Sequence, residues 1–180
     1  MELRDGIWAL LGYGALPAWL LAGGADWLCH RRSHIEATSG PAESAIHIAL
    51  FLQIAVPTLV SLWFEINALL LVLMALGVLA HTLTSLWDTR YAQPRRLISP
   101  VEQQIHGWLE MWPLFALTLV ALLHVAELVT PQWHFAPREN SPSVGWRWAV
   151  SLGFAGGFAF ILEEWWRGRR HAGHAVEGKR

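Results

Sequence analysis

Five apolar runs, each long enough to cross a bilayer, dominate this 180-residue chain and leave few folds open to it. A helical crossing takes about 20 residues, and only helices and closed barrels satisfy the backbone inside hydrocarbon. The runs extend from about Ile7 to Leu28, Ser44 to Phe64, Asn67 to Trp87, Ile105 to Val129 and Val144 to Trp166. Runs this long and unbroken predict helices. The expectation is therefore an all-α polytopic transmembrane bundle of about five spans. It forms one domain over 1–180, with a basic tail at 167–180. The first run lacks a basic leader and a small-x-small cleavage site, so it reads as a retained span rather than a signal peptide. Composition agrees: 54% of residues are apolar, 15% are charged, and mean hydropathy is +0.33. A net charge of -1 gives no footing for nucleic acid, and the single Cys29 excludes an internal disulfide or a multi-cysteine zinc module. Trp27, Trp63, Trp87, Trp133, Trp146, Trp165 and Trp166 all fall near span ends, as in an interfacial aromatic belt.

Orientation follows from the basic residues. Arg31, Arg32, Arg90, Arg95, Arg96, Arg167, Arg169, Arg170, Lys179 and Arg180 fall on one side, and Arg4, Arg138 and Arg147 on the other. The positive-inside rule makes the first side cytoplasmic and puts the N-terminus outside. The expected location is a bacterial inner membrane.

One phrase occurs twice. Gly40–His47 and Ser99–His106 both read small-Pro-x-Glu-x-x-Ile-His, 59 residues apart, each between two apolar runs. Glu and His four apart share one helix face. The repeat predicts that the first four spans form two similar halves, a two-plus-two bundle, with both phrases at the cytoplasmic surface.

Other ionisable residues fall at the same surface. Asp26, His30 and His34 step by four at the end of the first span. His81 and Asp88 lie seven apart near the end of the third. Glu102, His106 and Glu110 step by four at the start of the fourth. Intramembrane charge costs at least ~2–3 kcal/mol per group on insertion scales, so such groups need partners. Two divalent metal ions would offset the carboxylates and use the imidazoles. The candidate ligands are Asp26, His30, Glu43, His47, His81, Asp88, Glu102 and His106, with Glu110 as a ligand or proton carrier. Asp26 could instead orient His30 from behind. Arg31, Arg32, Arg95 and Arg96 would hold a substrate head group or support the ligands. Carboxylate and imidazole without thiolate suit Fe, Mn or Zn, with Fe favoured. A helix bundle with four carboxylates and several histidines is the plan of di-iron carboxylate sites, although their helical motif is Glu-x-x-His rather than the i, i+4 spacing here.

Simpler roles compete. Pro41 and Pro100 with the early glutamates suit helix starts, which explains Glu43 and Glu102 without explaining the histidines. His34 and Glu36 read as loop residues, His124 as a helix-end residue, and His171 and His174 as part of a solvated tail. Glu163 and Glu164 could simply pair with the tail arginines. A hydrogen-bond network without metal is the structural rival. Gly153 and Gly157 form a small-residue motif that would allow close packing or a homo-oligomer.

His30-Arg-Arg-Ser-His34 matches the HxxxH box of the histidine-box membrane fatty-acid desaturases and hydroxylases, and the histidines at cytoplasmic helix ends resemble theirs. Their HxxHH boxes are absent and this chain is shorter. The resemblance implies a non-haem iron oxidoreductase acting on a lipid or other hydrophobic substrate, supplied by an electron donor. Three other classes fit parts of the pattern. They are a zinc or manganese hydrolase of lipids or lipid phosphates, a metal transporter or sensor, and a b-type haem protein, which would leave the carboxylates unexplained.

Overall fold

The computed structural model describes residues 2–139 and 142–177. Positions 140–141 and the tail end 178–180, with Lys179 and Arg180, lie outside the described residues. Five long helices are apolar enough to span a membrane: α1 (Leu3–Arg32), α2 (Pro41–Val60), α3 (Ala68–Ala92), α4 (Pro100–Leu123) and α5 (Val144–Glu177). Among the described residues the one strand-like contact is an isolated bridge between Phe64 and Pro137. The protein is an all-α polytopic membrane bundle.

The sequence accounts for the helix starts. Ser99 caps α4, its Oγ accepting from the Glu102 amide at 3.1 Å, with Pro100 in the first turn. Asn67 caps α3 by accepting from the Leu70 amide. Gly40, at φ 71°, takes the left-handed turn that lets Pro41 begin α2. α1 contains a π-helical stretch at Leu10–Ala15.

Packing is a ring. α1 packs on α4, α4 on α3, α3 on α2, α2 on α5, and α5 back on α1. The fifth helix thus closes the gap between the first two. Its Gly153 and Gly157 face inward: a Cβ at Gly153 would stand 3.1 Å from Leu20, and one at Gly157 3.1 Å from Phe51. The small-residue motif serves packing within the chain. Trp19, Phe51 and Phe154 form the buried knot where α1, α2 and α5 meet. Leu76, Leu79, Leu83 and Leu86 of α3 point outward, as lipid-facing side chains do.

Every span boundary but the start of the fifth shifts, most by one to five residues and the ends of the fourth and fifth spans further. The fourth span ends at Leu123, and a separate short turn, Val125–Val129, follows. The basic segment from Arg167 continues α5 as helix to Glu177. It is not a tail detached from the last span.

Candidate metal centre

The two repeated phrases begin α2 and α4 at the same end of the ring. α1 and α3 finish there, so four helix ends bring Asp26, His30, Glu43, His47, Asp88, Glu102 and His106 together. Asp26, His30, Glu102 and His106 form one group with donor atoms close enough to share an ion, and His30, Glu43 and His47 form a second. His30 belongs to both. A hollow of about 90 Å³ lies among Asp26, His30, His47, Asp88 and His106.

Glu164 of α5 fixes both imidazoles. Its Oε2 lies 2.7 Å from His30 Nδ1, and its Oε1 lies 2.9 Å from His47 Nδ1. The two rings stack, 4.6 Å between centroids and 11° from parallel. A carboxylate accepting from both Nδ1–H groups sets the tautomer and leaves each Nε2 with its lone pair turned the other way. Those lone pairs face oxygen. His30 Nε2 is 3.3 Å from Glu102 Oε1 and 3.6 Å from Asp26 Oδ1. His47 Nε2 is 3.4 Å from Asp88 Oδ1 and 3.9 Å from Glu43 Oε1. His106 Nε2 is 3.1 Å from Asp26 Oδ1. The buried His30 Nε2, His47 Nε2 and Asp88 Oδ1 lack a hydrogen-bond partner.

The buried cation of the cluster is Arg96, in the middle of the α3–α4 connection. Its Nη2 is 2.6 Å from Glu43 Oε1, and its Nη1 is 2.6 Å from Glu102 Oε1. It therefore bridges the glutamates of the two repeated phrases. Burial opposes its charge, but the two carboxylates outweigh burial and hold its pKa above the ordinary arginine value. The side chain is 2% exposed, so Arg96 is an internal counter-ion and not a surface grip for a head group. Arg31, at 47% exposed, pairs with Glu163, and Arg32 is exposed. Arg95 is exposed and stacks on Tyr91.

His81 is buried near the cluster but joins neither donor group. Its Nδ1 donates to the Leu50 carbonyl at 3.0 Å. Glu110 is half-buried and lines the 90 Å³ hollow without entering a donor group. His34 is 75% exposed and pairs with Glu36, which also binds Arg167. His171 and His174 are exposed.

Of the two acids expected to pair with the tail arginines, Glu163 does so through Arg167, whereas Glu164 turns to His30 and His47. The signal was present, because two adjacent acids stand inside the predicted fifth span, and an intramembrane acid is a functional candidate by default. Comparison with family models, with curated proteins and with solved structures finds no match to this chain.

Proposed function

We propose that the protein is a membrane-embedded metalloprotein that holds two divalent metal ions in this His–carboxylate centre and performs redox chemistry on a hydrophobic substrate. The carrying observation is the spacing of the buried imidazole and carboxylate donors. Two ligands about 2.1 Å from a common ion, at tetrahedral or octahedral angles, stand about 3.0–3.4 Å apart. The His30–Glu102, His106–Asp26 and His47–Asp88 separations are 3.3, 3.1 and 3.4 Å. The Glu164 contacts, at 2.7 and 2.9 Å, are shorter and suit hydrogen bonds that orient the two imidazoles.

Charge supports the same reading. Asp26, Glu43, Asp88, Glu102 and Glu164 bring five carboxylates against the guanidinium of Arg96. With neutral imidazoles the surplus equals the charge of two divalent cations.

Nitrogen and oxygen donors without thiolate suit iron, zinc or manganese alike, and iron is proposed because the histidines at helix ends resemble those of the histidine-box enzymes. Iron in such a centre would supply activation of O₂, with electrons from an external donor. This chain's residues supply the rest. His30, His47, His106, Asp26, Asp88 and Glu102 bind; Glu164 orients; Arg96 neutralises and spaces the two glutamates. Glu110, lining the same hollow, is the proton carrier. By the distribution of basic residues the centre faces the cytoplasm.

The test is metal analysis of protein purified in detergent without chelators, with the visible spectrum recorded. About two Fe per chain is expected. Stoichiometric zinc with esterase or phosphatase activity would move the reading to a hydrolase. A Soret band would move it to a haem protein. Folded protein that takes up no metal on Fe(II), Zn(II) or Mn(II) reconstitution would leave the cluster an ion-pair network and sink the proposal.

A further inference from the structure

The polar centre fills one end of the helix ring; the other end is hollow. A cavity of about 620 Å³ runs between the helices, walled by side chains that include Leu11, Ile54, Met74, Ala116 and Val150. That volume lies within the ~300–1,000 Å³ of small-molecule sites. Two hydroxyls in its wall are already committed to their own helix: Thr58 Oγ1 donates to the Ile54 carbonyl, and Ser61 Oγ to the Thr58 carbonyl, both at 2.7 Å. The mid-membrane part of the wall is therefore apolar in effect. Asp5 and Arg138 also stand in the lining, so one part of the cavity is polar; the apolar remainder forfeits dispersion contacts until something apolar fills it.

Trp19 borders both this cavity and the hollow of the metal centre. Its position is fixed by a proline. Pro113 has no amide to give to the Leu109 carbonyl one turn earlier, and Trp19 Nε1 donates to that oxygen at 3.1 Å. The indole is held as a partition between the two spaces. Asp26 follows Trp19 by two turns of α1, about 10 Å along the helix.

We propose that this cavity binds the hydrocarbon chain of a lipid-derived substrate, whose end rests against Trp19 and faces the metal centre. The inference rests on the metalloprotein reading for what is done to the chain, but not for its binding. The ligand is a flexible hydrocarbon chain, and fatty-acyl and isoprenoid sources share that chemistry.

Binding of tritiated palmitate and tritiated farnesol to purified protein, by scintillation proximity, tests it. At least one should bind saturably, near one per chain. Ala116→Phe and Val150→Phe, on different helices, fill the cavity, and each should weaken binding about tenfold, which corresponds to ~1.4 kcal/mol. Trp19→Ala removes the partition and should shift preference toward longer chains. Palmitate alone binding identifies an acyl chain, and farnesol alone an isoprenoid. No saturable binding of either, or equal binding by wild type and both filled variants, would overturn the site. Metal content measured on the same samples separates the two readings. Chain binding without metal sinks only the metal centre, and metal without chain binding sinks only this site.

Discussion

Two pairs of like residues show what a side chain's direction decides. Glu163 and Glu164 are neighbours, about 100° apart around α5. Glu164 is buried against His30 and His47, whereas Glu163 is 38% exposed and pairs with Arg31 and Trp27. Arg95 and Arg96 divide in the same way: one stacks on Tyr91 at the surface, the other joins Glu43 to Glu102. The clustered histidines and carboxylates were legible because Glu-x-x-x-His and Asp-x-x-x-His fix a shared helix face. Adjacent like residues offer no such internal reference, so only packing says which turns inward. Glu164→Gln should therefore weaken metal binding about 10–100-fold, the usual effect of losing an orienting partner, because an amide can accept from one Nδ1–H but not from both. Glu163→Gln should leave metal affinity unchanged. Competition with a chelator of known affinity measures both, and equal loss in the two variants would deny Glu164 its orienting role.

Helix interiors and ends carry their own logic. Pro57 frees the Gln53 carbonyl of α2, and Gly77 of α3 passes so close that a Cβ there would lie 2.5 Å from that oxygen. α2 carries Glu43 and His47, and α3 carries Asp88. Gly77→Ala must push the two helices apart, because the obstacle is backbone. It should cost about 1–3 kcal/mol of stability and lengthen the 3.4 Å His47–Asp88 approach. Asp26, His30, Glu102 and His106 should stay together on α1 and α4. The expected result is one metal retained and one weakened, read as metal content per chain against a denaturation midpoint. The end of α4 has a different cause. His124 turns its Nδ1 to the Val120 carbonyl at 2.8 Å, while its own amide bonds Ala121 instead. The side chain takes the acceptor that the next helical bond needs, and the helix stops although apolar sequence continues. Hydropathy alone cannot see that competition, which is why the predicted span ran on to Val129. Burial, with Arg4 and Arg138 adding to it, depresses the His124 pKa below its ordinary 6.5. The unfolded chain then binds the proton more readily. The stability His124 contributes is present above about pH 6.5 and is lost as pH falls through its folded pKa. Melting at about pH 7.5 and pH 5.5 should show a smaller acid loss in His124→Gln than in wild type.

For the whole molecule, the five spans were readable because crossing a bilayer demands long apolar runs. The ring order was not, because lipid outside is as apolar as protein inside, and a helix such as α3, with mean hydropathy 2.1, marks no inward face. The repeat identified α1–α2 and α3–α4 as similar halves. It carried no information on α5, which has no counterpart in it and closes the ring between α1 and α2. That closure depends on charge. Glu164 ties α5 to His30 of α1 and His47 of α2 at one end of the bundle, where Asp26, Glu43, Asp88 and Glu102 also converge and Arg96 alone does not balance them. In the metalloprotein proposed above, the ions would offset that surplus. Stripping them should leave carboxylates repelling across the ring until protons bind, so chelation should lower the melting temperature by at least ~5 °C for a chain of this size. Fe(II) should restore it. The same treatment should barely move a His30→Ala, His47→Ala double variant, which has no metal to lose. A chelator effect of equal size in wild type and double variant would mean that the ions act somewhere other than this centre.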